Sequence, residues 1–439
     1  MTWRPLLTGS LGEEASDAIE VIAADISEPN PSPTSIHDQR YPLSLAFGSA
    51  GVGIFYLYLG FLRDGSRWFP DAVRCLERAL AGLSEVDMPP DLFRGIAGVV
   101  WAFEHAREHL WRSGDDSSVE IDEALAEWCG EEEIPDELMH GLGGLCVYAL
   151  ERPSCPSSRQ LLETAVSALE RHAHRFPEGV AWPLGERSVK TLITWYEREG
   201  TDEARRVLGE LERLSAAMGG IFRPGAAHGA AGVVASLGAV AARAPRESAV
   251  RGLVHDAARW LLAQRLPPEA ASVFPEFCGA AYPLSQSGWC NGDLGIACAL
   301  LTAARALEEP SLMDAALAAA RREAARTVDD IEGFNRNTPM LCHGHAGRAH
   351  LFNRFYQASG DELFADTARY WFRQTLDLRR AGQGFGGFVN PGSKGEPVPM
   401  QGLLMGAAGM GLALIAGLGD EEPAWDCILG LSTPREKET

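Results

Sequence analysis

Two kinds of helical stretch alternate along the chain. In segments such as DAVRCLERALAGL from Asp71, RQLLETAVSALERHAHRF from Arg159 and DEARRVLGELERL from Asp202, apolar residues recur at i, i+3, i+4 and i+7. Each predicts a helix with one buried and one wet face. Between them lie runs with almost no polar face, and each opens on Gly-x-x-Gly. They are GSAGVGIFYLYLGFL from Gly48, GIAGVVWAF from Gly95, GLGGLCVYAL from Gly141, GAAGVVASLGAVAA from Gly229, GDLGIACALL from Gly292, GHAGRAHLF from Gly344 and GAAGMGLALIAGL from Gly406. The first glycines are 47, 46, 88, 63, 52 and 62 residues apart. Period-two alternation is scarce, so strands are minor.

The repeating unit is therefore an amphipathic helix, a loop, Gly-x-x-Gly and a helix apolar all round. An outer ring suits the first helix and an inner ring the second, and glycine allows a tight entry into the inner helix. Open solenoids leave a polar face on both helices of a pair, which the post-glycine helices lack. This predicts an all-α fold, an α/α toroid closed by seven Gly-x-x-Gly repeats, with residues 1–439 as one domain. The long third interval contains FPEGVAWPLGERSVK and predicts an insertion at about residues 150–220.

Composition narrows the function. A chain of 439 residues, 46% hydrophobic, can bury a large core. Its 39 basic residues against 60 acidic ones give a net charge of −21, which argues against nucleic acid as partner. Nine cysteines without framework spacing predict reduced thiols in a cytoplasmic protein. The N-terminus lacks the apolar core of a signal peptide. Gly402–Gly419 carries no charge but holds six glycines, and suits a helix buried on all sides better than a membrane span.

Candidate chemistry sits at one phase of the repeat. Cys290 and Cys342 each stand two residues before a first glycine, in consecutive repeats. His343, His228 and His140 stand one residue before it. Two cysteines and a histidine meeting at one rim would form a zinc site, with three protein ligands and an open fourth position. Cys75, Cys146 and Cys298 have no such phase and are expected to be small buried hydrophobes.

WCNG, CHGHAG and AHGAAG, in that order within the sevenfold array, resemble the lanthionine synthetase C family, the lantibiotic cyclases. The closing PAWDCILGLS is similar to the end of its stand-alone members, and the likeness runs from about Tyr41 to Ser432. The resemblance implies an α/α toroid with a central Zn2+ on Cys290, Cys342 and His343. It also implies thioether formation, in which a peptide cysteine adds to dehydroalanine or dehydrobutyrine. With no dehydratase domain upstream, a stand-alone enzyme is expected. Its implied partners are a dehydrated precursor peptide, a lantibiotic dehydratase and a transporter, and such a complex would hold it at the membrane periphery. Zinc would keep the attacking thiol deprotonated, and His228 is the natural acid–base residue for the enolate. The family's acidic residue before the third Gly-x-x-Gly falls on Glu137 by position, with Asp136 one place off; either could instead cap a helix start.

Two positions depart from the family pattern. Gln286 and Asn291 stand where bacterial cyclases carry Arg and Tyr around the first zinc cysteine. Gln286 can donate a hydrogen bond to a developing enolate but brings no charge; Arg223 or Arg348 could supply the cation instead. His345 is expected at the surface or behind the ligands. Thiol addition to a different acceptor, and a non-catalytic peptide-binding toroid with structural zinc, stay open. A glycoside hydrolase would need paired carboxylates at the rim.

Overall fold

The computed structural model describes residues 3–27, 35, 39–111, 118–131, 133–243, 248–280, 287–331, 336–392 and 395–434. It is mostly helical, with two short antiparallel hairpins at residues 174–181 and 390–398. Its residues fall into two compact units: 1–118 with 320–425, and 119–319 with 426–439.

In the first unit α1 spans Gly9–Asp25, α2 Ser49–Leu62, α3 Gly65–Ala81 and α4 Ile96–Leu110. The second unit holds α5 Val119–Trp128, α6 Leu142–Glu151, α7 Pro156–His172, α8 Glu186–Glu199, α9 Asp202–Met218, α10 Ala230–Arg243, α11 Ser248–Ala263 and α12 Asp293–Leu307. After α13, Pro310–Ala324, the first unit resumes with α14 His345–Ser359, α15 Glu362–Asp377 and α16 Ala407–Leu418. The predicted alternation is present. α3 buries only Trp68, Ala72, Leu76 and Ala79, a 3–4 spacing, whereas every residue of α16 but the last is buried. Burying each large side chain of such a helix contributes about 1.5–3 kcal/mol. Gly402–Gly419 thus contains a twelve-residue interior helix, and no helix among the described residues is long and apolar enough to cross a membrane.

Inner helices pack side by side within each unit. In the first the order is α14, α16, α2, α4, so the seventh repeat lies against the first. In the second it is α6, α10, α12. Six of the seven first glycines cap their helices, and α10 begins immediately after Gly229. The second glycine is required by close approach. A Cβ on Gly98 would run into the carbonyl oxygen of Leu92, and one on Gly347 into that of Leu341. The polypeptide doubles back on itself there, leaving room for a hydrogen atom only.

The residue two before each first glycine is tied by a backbone hydrogen bond to the same position in a neighbouring repeat of its own unit. In the first unit Cys342 N–H donates to Leu404 O (2.9 Å), Leu404 to Ala46 (2.8 Å) and Ala46 to Phe93 (2.8 Å). In the second, Met139 donates to Ala227 (3.3 Å) and Ala227 to Cys290 (2.8 Å). Repeat therefore follows repeat in one register inside each unit.

The long third interval holds α8 and α9. They pack on each other over a small core of their own, in which Tyr196, Val207, Leu211 and Leu214 meet Ile221 and Phe277.

Candidate functional site

The richest cluster of chemistry lies in the second unit, in the turns before α6, α10 and α12. Glu137, four residues before Gly141, is buried. Its Oε2 accepts the backbone N–H groups of Met139 and His140, the latter at 3.1 Å, and so closes the turn. Its Oε1 lies 3.0 Å from Nδ1 of His140 and 3.3 Å from Nδ1 of His228. Burial alone would raise its pKa. The two histidines, His140 first, outweigh that and hold the carboxyl below the usual range. An ionised carboxylate only accepts, so each Nδ1 carries a proton and each Nε2 faces away from Glu137. The two rings are 5.1 Å apart between centroids.

Asp136 is sent elsewhere. Its Oδ1 meets Nδ1 of His172 at 2.8 Å. Burial pushes its carboxyl up to about 6, against the pull of His172. Of the two neighbouring acids, Glu137 is the one that reaches His228.

Cys290 is a half-buried thiol, outside any disulfide, in the turn before α12. Several anchors set that turn. Trp289 is buried and donates from Nε1 to Leu429 O (2.8 Å). Asp293, the first residue of α12, is fully buried and accepts the backbone N–H groups of Val273 (2.6 Å) and Phe274 (3.0 Å). That bond ties the 272–280 loop to the helix start and delivers Glu276. Arg223 is buried, pairs with Glu276 and lies 4.9 Å over the ring of Phe277. With its side-chain amide turned, Asn291 accepts from Arg223 at 3.1 Å. Burial raises the Glu276 pKa, Arg223 opposes this, and a charged Cys290 adds to it. Gln286 lies outside the described residues. Sequence reasoning missed His140 as a partner of Glu137, and also Glu276 and Asp293; His140 alone had a signal, its shared phase with His228.

In the first unit Cys342 is a buried thiol outside any disulfide, and His343 follows it half-buried. His345 is not at the surface. It is 1% exposed with Nε2 2.8 Å from Arg336 O, and burial, then Arg348, pulls its pKa down to about 4. The start of α14 lies inside the unit, so a side chain in its first turn has no route to solvent. Arg348 is fully buried, with its guanidinium 5.1 Å over Trp371. Cys146 and Cys298 are buried as expected; Cys75 is half-buried.

A family model described as Lanthionine synthetase C-like protein matches residues 39–429. The chain belongs to that family. Among solved structures, nisin cyclase matches with a TM-score of 0.67 and 16% sequence identity, covering 95% of this chain and 97% of that one. At that identity the likeness establishes the fold, the α/α toroid of nisin cyclase. No curated protein sequence matches significantly.

Proposed function

We propose that this family member is a zinc-dependent cyclase. Cysteine thiols of a dehydrated precursor peptide would add to dehydroalanine or dehydrobutyrine, closing lanthionine and methyllanthionine rings. Cys290, Cys342 and His343 hold the metal in this reading. Two thiols outside any disulfide and an imidazole are a soft sulfur–nitrogen donor set that suits zinc, with a fourth position left for substrate. Bound zinc would keep the incoming thiol ionised near neutral pH.

The chain's own residues supply the remaining steps. His228 presents Nε2 and delivers a proton to the α-carbon of the enolate, while Glu137 holds the ring from Nδ1. Arg223, buried beside Asn291 in the turn of Cys290, carries the charge that Gln286 lacks, and Gln286 adds a neutral donor. A dehydratase and a transporter are the expected companions.

One observation supports this most. Within each unit, the register of backbone hydrogen bonds puts a cysteine that is not in a disulfide at the equivalent place two residues before the glycine. The test is single-turnover thiol consumption on a dehydrated precursor, read by alkylation and mass spectrometry. Loss of one thiol per ring is expected; unchanged thiols would leave the peptide-binding toroid instead.

A further inference from the structure

The proposed reaction moves two protons, yet only His228 has been given one to handle. Glu137 holds two imidazoles on a single oxygen, and His140 is placed like His228. Both rings stand one residue before a first glycine, both turn Nδ1 to Oε1 of Glu137, and their side chains are 19% and 28% exposed. Among the described residues neither Nε2 has a hydrogen-bond partner. A histidine serving only to brace the turn would not be needed. Glu137 already closes it through the backbone N–H groups of Met139 and His140. What Nδ1 of His140 gains is orientation and a fixed tautomer, with Nε2 left as the working atom.

We infer that His140 is a second acid–base residue, sharing Glu137 with His228 and taking the proton that the peptide thiol loses. The inference rests on the cyclase reading. At the start His228 is the imidazolium and His140 is neutral. The thiol S–H gives its proton to Nε2 of His140, and the sulfur electron pair forms the bond to Cβ. The Cα=Cβ π pair moves to the α-carbon and its carbonyl as an enolate. Nε2–H of His228 then protonates the α-carbon. One imidazolium is present before and after, shifted from one ring to its neighbour. A single carboxylate suits a pair that carries one positive charge at a time, because two imidazolium rings this close would repel.

The test uses the full chain with its metal and a dehydrated precursor. His140→Ala should slow single-turnover ring closure at least tenfold, keep its metal content and helical spectrum, and regain rate when imidazole is added. Nitrogen NMR should find the Nδ1–H tautomer on the neutral His140 ring of the wild type. Where the alanine variant fails to fold, His140→Asn keeps a donor for Glu137 and takes its place. A variant rate within twofold of a cycling wild type overturns the inference alone. So does the Nε2–H tautomer on His140, or loss of a metal equivalent on its replacement, which would make Glu137, His140 and His228 a metal site. A wild type that forms no rings removes the cyclase reading and this inference together.

Discussion

Asp91 and Glu137 occupy the same place in two repeats, four residues before the first glycine, and are put to different uses. In the first unit Asp91 accepts the backbone N–H of Arg94 (2.7 Å), and its other oxygen is taken by the Arg94 guanidinium at 2.8 Å. In the second unit Glu137 accepts the backbone N–H of His140, and its other oxygen goes to two imidazoles. The frame is the same and the cap is the same. One turn closes its charge on a guanidinium, which can only donate; the other holds two imidazoles, each with a second ring nitrogen that can give or take a proton. What the buried acid at this place holds depends on the residue one before the glycine, because the backbone at that phase is already fixed.

The comparison can be broken most severely at the metal. Replacing both Cys290 and Cys342 by Ala should abolish stoichiometric zinc while leaving the helical spectrum in place, since both lie in turns outside the helices. Elemental analysis decides it, and full zinc retention would sink the ligand assignment. Next in size, His228→Asn should keep the metal and slow ring closure by roughly 10²–10⁴-fold, the usual scale for general acid–base catalysis. A wild-type rate in that variant removes the proton-delivery role.

The neighbouring acids give a smaller, pH-dependent effect. Asp136 has a folded pKa raised to about 6, against about 3.9 in an unfolded chain. Between those values the folded state binds more protons, so this group costs stability as pH rises through the window. Thermal midpoints of wild type and Asp136→Asn should therefore diverge from about pH 4 to about pH 6, with the wild type losing ground. Parallel curves would contradict the assignment. Smallest in activity is Arg94→Ala. It should leave ring closure within twofold of wild type, yet lower stability by roughly 1–3 kcal/mol, because Asp91 is buried and loses its charge partner. Denaturant titration beside the ring-closure assay checks both halves, and a large activity loss would erase the contrast between the two turns.

Much of this was legible in the sequence. Seven Gly-x-x-Gly motifs, each followed by an uncharged run, specify inner helices, because a run with no polar face has to be buried on every side. Phase alone singled out Cys290, Cys342 and His343 as candidate ligands and aligned His140 with His228, and within each unit one register of backbone bonds carries that phase from repeat to repeat. Local reading stopped at residues whose role depends on a distant partner. Asp136 and Glu137 are adjacent and chemically alike, and only the packing of α7 and the turn before α10 sends one to His172 and the other to His228. His345 sits in a polar-looking motif, but the burial of α14 removes it from water. Arg223 and Glu276 are separated by fifty-three residues, and Asp293 joins their loop to the helix start. Periodicity and phase are properties of the chain's own geometry, and so can be read along it. Which carboxylate meets which imidazole depends on contacts between segments far apart in sequence, and those exist only once the helices have packed.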